Sequence, residues 1–142
     1  MKIAAVDFGD ARTGLAICDK QEMLASPAGV IQEKNFDRAV VKVADALKEL
    51  APELVVVGHP INMNGTIGVR AQHCEEFVKQ LEAALGNIPV VLWDERSTTV
   101  SAIGFLNATD TRGKKRKAVI DTVAATIILE NYLNYRKNHR EE

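Results

Sequence analysis

The chain has 142 residues, of which 46% are hydrophobic and 26% are charged, and its formal net charge at pH 7 is −1. This length and composition predict one soluble domain with a core of ordinary size. They exclude a globally basic nucleic-acid-binding protein, so any contact with nucleic acid must come from a local cluster of cations. The sequence has no leader pattern and no apolar run of membrane-spanning length, which favours a cytoplasmic protein without membrane contact.

The chain begins with an apolar run, residues 3–6, that is typical of a buried strand and ends at Asp7. Gly9 and Gly14 bracket a polar turn, and the apolar residues 15–17 lead back, so a β-hairpin is predicted. A lone aspartate beside a core strand is costly unless it is paired, hydrogen-bonded or bound to a metal. Asp7 is therefore the first candidate functional residue.

The middle of the chain alternates between predicted strands and helices. Residues 23–31 can supply a third strand, and Pro27 indicates that this strand is irregular or at an edge. A helix is predicted from Asn35, a plausible N-cap, to Leu50. Residues 54–57 are wholly apolar, which is typical of a strand covered on both faces.

A second helix is predicted from about Gly68 to Leu85 and another buried strand over residues 90–93. A short helix to about Leu106 follows that strand. The apolar face of the second helix is predicted to carry five residues at helical spacing. They are Val69, His73, Phe77, Leu81 and Leu85.

The end of the chain is predicted as a polar loop over residues 110–118, with a local charge of +4, and a last helix from Val119 to Tyr135. The order of elements implies a mixed sheet with helices on both faces, in a single α/β domain of residues 1–137. Residues 138–142 form a frayed charged tail in this interpretation. In such sheets ligands gather at the carboxyl ends of the strands.

Acidic residues recur at those ends. Asp7 ends the first strand, and Asp94 and Glu95 follow the last. Successive strand residues face opposite ways, so only one of that pair can point as Asp7 does, and the sequence leaves open which one. Asp121 shares a helical stripe with Ala125, Ile128 and Tyr132. It is either an aspartate favoured by the helix macrodipole or a third carboxylate aimed at the same cleft.

Three carboxylates without a histidine or cysteine cluster suit a hard cation, Mg²⁺ or Mn²⁺ rather than Zn²⁺. A pair of such ions would activate a water for phosphodiester displacement. The basic loop before Asp121 would then hold substrate phosphates, although a solvated loop is the alternative. Cys18 and Cys74 are interpreted as buried thiols rather than ligands or a disulfide.

Four motifs in chain order resemble those of the bacterial YqgF family, which is also called RuvX-like, and they span nearly the whole chain. The first three are residues 7–16, then Val57-Gly58-His59-Pro60 with Asn62, Gly65 and Thr66, then Asp94-Glu95-Arg96-Ser97-Thr98-Thr99. The fourth is Lys114-Lys115-Arg116-Lys117 through Asp121-Thr122-Val123-Ala124-Ala125 with Ile128-Leu129.

The resemblance implies an RNase H-like fold with a five-stranded mixed sheet, related to the Holliday-junction resolvases. It implies an activity described either as processing of the 5′ end of precursor 16S ribosomal RNA or as junction resolution. The family's acidic residues fall on Asp7, Glu95 and Asp121, which favours Glu95 over Asp94. His59 stands where the family has Leu or another apolar residue, and a satisfied loop histidine is preferred over a substrate contact or a proton shuttle.

The leading hypothesis is a metal-dependent nuclease in which Asp7, Glu95 and Asp121 hold Mg²⁺ or Mn²⁺ and the products carry 5′-phosphate and 3′-hydroxyl ends. The candidate phosphate contacts are basic residues from four parts of the chain. They are Arg12, Arg70, Arg96, Lys114, Lys115, Arg116 and Lys117.

Three alternatives are kept. A Holliday junction resolvase would act on branched DNA and favour a dimer, because two symmetric cuts need two sites. An ATP-binding domain of the actin-like kind would need a second lobe, which 142 residues do not hold. A non-catalytic RNA-binding or ribosome-assembly module could keep the fold without the activity. The sequence does not distinguish a monomer from a homodimer.

Overall fold

The computed structural model describes residues 1–60, 65, 67–94 and 113–140, and within the last range it describes the side chains of residues 123–138. The elements alternate after an initial run of three strands. They are β1 (Ile3–Asp7), β2 (Arg12–Cys18), β3 (Ala25–Gln32), α1 (Phe36–Leu50), β4 (Leu54–His59), α2 (Val69–Leu85), β5 (Val90–Asp94) and α3 (Gly113–Arg140).

The strands form one mixed sheet in the order β3-β2-β1-β4-β5. β1, β2 and β3 pair antiparallel, whereas β1 pairs with β4 and β4 with β5 in parallel. β1 is therefore the central strand, and its carboxyl end lies at the same edge as those of β4 and β5. The predicted mixed sheet with a hairpin start is confirmed.

The sheet separates two apolar cores because alternate residues of β1 and β4 point to opposite faces. On one face Val6 and Val57 pack with α1 and α2 through residues such as Leu47 and Phe77. On the other, residues including Ile3 and Val56 pack against α3. The residues of β4 from 54 to 57 are buried on both faces, as predicted for a wholly apolar run.

α1 begins where the sequence predicts. The Asn35 side chain accepts a hydrogen bond from the Arg38 backbone N–H at 3.0 Å, so Asn35 is the N-cap. Its buried face includes Val43 and Leu47, which are fully buried. β3 lies at the edge of the sheet, as Pro27 indicated, although it runs from Ala25 to Gln32 rather than over residues 23–31.

Two predictions about apolar faces are wrong. β5 is an edge strand, so it is only partly covered and Leu92 is 39% exposed. On α2 the predicted stripe is wrong at its first two positions, because Val69 is 68% exposed and His73 is also exposed. The other three predicted residues, Phe77, Leu81 and Leu85, are buried as predicted. The helix packs across α1 as well as against the sheet, so both neighbours together determine its buried face.

The last helix is longer than predicted. α3 runs from Gly113 to Arg140, whereas the sequence predicted Val119 to Tyr135 with a basic loop before it and a frayed end. Residues 114–117 therefore belong to the first turns of a helix. Lysine and arginine are good helix formers, so a run of them continues a helix as readily as it solvates a loop.

Cys18 and Cys74 are buried thiols that are not joined in a disulfide, as predicted. Within the described ranges no helix is long and apolar enough to cross a membrane.

Candidate active site

The candidate site lies at the edge where the parallel strands end. β1 ends at Asp7, β4 at His59 and β5 at Asp94, and the last two are paired in register. The carboxyl ends of parallel strands are the usual ligand-binding edge of an open α/β sheet. A polar residue thus stands at the end of each parallel strand.

Asp7 is half-buried and belongs to the α3 side of the sheet. Ile3 and Ala5, the alternate residues before it on β1, pack in the α3-side core, whereas Val6 packs on the other face. Across the hairpin Asp7 pairs with Gly14 on β2. Its carboxylate is therefore carried by the central strand, on the face that α3 covers.

The turn that follows Asp7 depends on glycine. A Cβ at Gly9 would lie 2.2 Å from the carbonyl oxygen of Arg12, which is closer than any side chain tolerates. The residue that follows β3 contacts the same turn: the backbone N–H of Glu33 donates a hydrogen bond to the carbonyl oxygen of Ala11 at 3.0 Å. These contacts fix the backbone immediately after the candidate carboxylate.

Asp94 lies on the face opposite to that of Asp7. Val91 and Trp93 of β5 pack on the α3 side, and the Trp93 ring meets that of Tyr132 at 5.5 Å. Alternation then directs Asp94 toward the α2 side, where His59 lies beside it in register. Glu95, the preferred alternative to Asp94, lies outside the described residues.

His59 has a partner within the protein. Its Nε2 lies 3.1 Å from Oε2 of Glu75 on α2, and its side chain is only 13% exposed. This pairing agrees with a satisfied histidine at the end of β4.

Asp121 lies deeper in the last helix than the sequence predicted. The residue is the ninth of the helix, in its third turn, rather than in the first turn as predicted. A macrodipole acts only within the first turn, so it does not account for an aspartate here. Ala125 and Ile128, which follow one and two turns later, are 0% and 1% exposed against β1 and its neighbours. The side chain of Asp121 lies outside the described set.

The predicted cations divide between several elements. Arg12 is the first residue of β2 and is partly exposed, and Arg70 is exposed in the first turn of α2. β2 and α2 both start at the edge of the sheet where β1 and β4 end, so Arg12 and Arg70 lie near that edge. The run of residues 114–117 opens α3, and Arg96 falls outside the described ranges.

Among the described side chains no group of three or more histidine, cysteine, aspartate or glutamate residues could hold a metal ion. Of the three predicted ligands only Asp7 has a described side chain. Its half-buried carboxylate on the α3 side supplies the oxygen donor that a hard cation prefers.

One feature of this edge was not predicted. A cavity of about 400 Å³ opens beside the β1–β2 turn on the face of α1 and α2, and Phe8 and Phe36 line it. The sequence places these two aromatic residues 28 positions apart, so only the packing of α1 against the hairpin brings them together.

A family model described as "RuvX: Holliday junction resolvase" matches residues 1–135. The chain belongs to the RuvX family. Relatives named "Putative pre-16S rRNA nuclease" include that of Halothermothrix orenii, 42% identical over 136 residues and 96% of each chain. The Bacillus subtilis relative is 39% identical over 136 residues, which are 94% of this chain and 98% of that one.

RuvX membership agrees with the fold. The RuvC of Thermus thermophilus, in a complex described as containing a Holliday junction substrate, matches with a TM-score of 0.61 and 15% identity over 95% of this chain and 96% of that one. The Fowlpox virus Holliday junction resolvase matches with a TM-score of 0.55 and 17% identity over 97% and 99% of the two chains. The RNase H-like architecture predicted from the sequence is confirmed.

Proposed function

We propose that this chain is a metal-dependent nuclease that hydrolyses phosphodiester bonds during 5′-end processing of precursor 16S ribosomal RNA. The observation that carries the proposal is Asp7, a half-buried carboxylate at the end of the central strand on the face that α3 covers. Relatives that share 38–42% of their residues over almost the whole chain bear the pre-16S rRNA nuclease name.

The proposed ligand set is Asp7, Glu95 and Asp121. By strand alternation Asp94 faces α2, on the side of the sheet opposite to Asp7, so it is a weaker candidate than Glu95 for a ligand to the same metal ion. Asp121 is proposed because it precedes Ala125 by four residues on a helix whose buried face packs on β1. An all-oxygen donor set suits Mg²⁺ or Mn²⁺.

A divalent cation bound there would polarise the phosphate and lower the pKa of a bound water. The chain's own residues then have two tasks. The carboxylates would hold the divalent ion, and the basic residues of α3, with Arg12, Arg70 and Arg96, would neutralise the flanking phosphates. Water adds across the bond between phosphorus and the 3′ oxygen, so the products carry a 5′-phosphate and a 3′-hydroxyl.

A Holliday junction resolvase is the second candidate, and the description of the matching family favours it. The resolvases of known structure are at most 17% identical among those compared above, so they support the fold and not the substrate. Symmetric cutting would require two copies of the chain. A non-catalytic RNA-binding module is the third candidate, and it predicts binding without cleavage.

The test is cleavage of an end-labelled RNA that spans the 5′ junction of a 16S precursor, beside a four-way DNA junction, with Mg²⁺, Mn²⁺ or EDTA. We expect metal-dependent cutting of the RNA, and a loss of at least about 100-fold in Asp7→Asn with binding retained, because a positioned charge near the reacting phosphate contributes on this scale. Asp45→Asn, an exposed aspartate of α1, is the matched control.

Full activity of Asp7→Asn would rule out the proposed mechanism. Symmetric cutting of the DNA junction without cutting of the RNA would favour the resolvase. Binding of both substrates without any cleavage would favour the assembly module.

A further inference from the structure

The cavity beside the β1–β2 turn has a rigid aromatic wall. Phe8 stacks on Phe77 with ring centroids 4.3 Å apart and an angle of 18° between the planes. Phe36 meets Phe8 edge to face at 5.9 Å and 87°. Phe8 is only 6% exposed, so these contacts hold it in one orientation. The cavity is thus lined by ordered rings rather than by mobile side chains.

The rim of the cavity is polar and mainly acidic. Asp10 and Glu76 are exposed carboxylates on it, and Lys34 and His73 are exposed beside them. A third carboxylate, Glu33, is already engaged with the Lys42 ammonium at 2.7 Å. The carboxylates repel a phosphate and accept hydrogen bonds from N–H groups. The rim therefore selects the neutral, N–H-bearing part of a nucleotide over its phosphate.

The size and place of the cavity fit a piece of substrate. Its volume of about 400 Å³ lies within the range of small-ligand sites and exceeds that of one nucleobase. Phe8 directly follows Asp7, and consecutive Cα atoms are about 3.8 Å apart. The side chains of Asp7 and Phe8 point to opposite faces of the sheet, so the cavity lies across the sheet edge from the carboxylate. A substrate strand that crosses this edge with a phosphate at Asp7 would carry a neighbouring base to the mouth of the cavity.

We infer that this cavity binds one unstacked nucleobase of the substrate strand, next to the bond that is cut. The base stacks against Phe36, the partly exposed ring that Phe8 holds in place, and its exocyclic amino group donates to Asp10 or Glu76. The inference rests on the proposed function for the identity of the strand as RNA. Guanine, cytosine and adenine carry an exocyclic amino group, whereas uracil does not, so uracil is the least favoured base.

The inference is tested by filling the cavity. Ala39 lines it and is 2% exposed, so Ala39→Leu occupies its space, and Ala46→Leu makes the same change farther along α1, outside the cavity lining. The probes are short precursor RNAs that carry 2-aminopurine at successive positions, titrated in EDTA so that no cutting occurs. Stacking is expected to quench the fluorescence at one position.

The expected result is that Ala39→Leu removes this quenching and weakens binding about 10-fold, the loss expected when one base–aromatic stack is removed. Ala46→Leu should bind as the wild type does. Phe36→Leu keeps an apolar side chain of similar size and should also lose the quenching, which covers the case that Ala39→Leu does not fold. Replacing the base at that position by uracil should weaken binding to the wild type.

Quenching spread evenly over all positions, or retained in both Ala39→Leu and Phe36→Leu, would overturn the inference. Because the titration needs no cleavage, its outcome is separate from that of the nuclease assay. Position-specific quenching in a protein that cuts no RNA would support the base site and overturn the proposed activity. Cleavage without position-specific quenching would support the proposed activity and overturn the base site.

Discussion

At the scale of single residues, the ion pairs of Glu22 stabilise the fold at the end of the sheet remote from the candidate site. Glu22 has a side chain that is 6% exposed and accepts a hydrogen bond from Arg136 Nε at 2.7 Å. It also accepts one from the Met1 amino group at 2.9 Å. The pair joins the turn after β2 to the last turns of α3.

The pKa of Glu22 follows from these contacts. Burial by itself raises the pKa, but the hydrogen bonds from Arg136 and the Met1 amino group outweigh burial and lower the pKa from 4.5 to about 2. A carboxyl whose pKa is lowered on folding stabilises the protein above its unfolded pKa. That stabilisation is lost as the pH falls from 4.5 toward 2.

We therefore expect Glu22→Gln to lower the free energy of unfolding by about 1–3 kcal/mol at pH 7, the range for a hydrogen bond to a charged group and for a buried partner left unpaired. The difference from wild type should shrink as the pH approaches 3, because the Glu22 carboxyl of the unfolded chain takes up a proton below its pKa of 4.5 while that of the folded protein stays ionised. Urea denaturation at pH 7, 5 and 3 measures this. Glu49→Gln, on the exposed face of α1, is the control, and a difference independent of pH would contradict the prediction.

At the scale of elements, α3 carries both the basic run and an apolar face, which the sequence predicted in a loop and in a separate helix. Its first turns contain the basic run of residues 114–117, and its later turns cover the sheet through Ile128 and Leu129. Because the basic run belongs to a helix rather than a loop, its position relative to β1 is fixed by the packing of the buried turns. Cations on such an element need less ordering when a nucleic acid binds.

This placement predicts the salt dependence of RNA binding. Lys115→Ala with Arg116→Ala should weaken binding and reduce the slope of log K against log salt by about 1.4, which is two contacts at about 0.7 each for a single strand. The control removes two exposed cations elsewhere, Lys48→Ala with Lys79→Ala. Filter binding from 50 to 300 mM salt gives the slopes, and equal slopes for the two double variants would argue against a phosphate contact in α3.

At the scale of the whole molecule, the sheet is the shared wall of two cores. Residues of β1 and β4 alternate between them, so a loss of packing on one face is transmitted to the other through the same strands. We therefore expect the protein to unfold as a single cooperative unit, as the predicted single domain of residues 1–137 requires.

We expect Leu47→Ala to lower the free energy of unfolding by about 2–5 kcal/mol, because it leaves a cavity in the α1 and α2 core. The only tryptophan of the chain, Trp93, lies on the opposite face. In one cooperative unit its fluorescence transition and the far-UV circular dichroism transition shift together. Two separate transitions would contradict a single domain, and Leu24→Ala, at 66% exposed, should leave both unchanged.

The sequence alone determined the hairpin that begins with β1 and Asp7, the order of the described strands and helices, the cap of α1 and the family; the predicted short helix to about Leu106 lies outside the described residues. Each of these depends on local chemistry: apolar runs, a glycine where a backbone approaches closely, and a side chain that accepts an adjacent N–H. Motif spacing needs no coordinates either, which is why the resemblance identified the family that the comparisons confirm.

The tertiary structure alone decided which side chains share a face. Leu92 is exposed because β5 is at an edge, and Asp94 is directed away from Asp7 because Trp93 packs on α3. The cavity between Phe8 and Phe36 exists only where α1 meets the hairpin. Such facts depend on which elements pack together, over separations that local propensity and period do not encode.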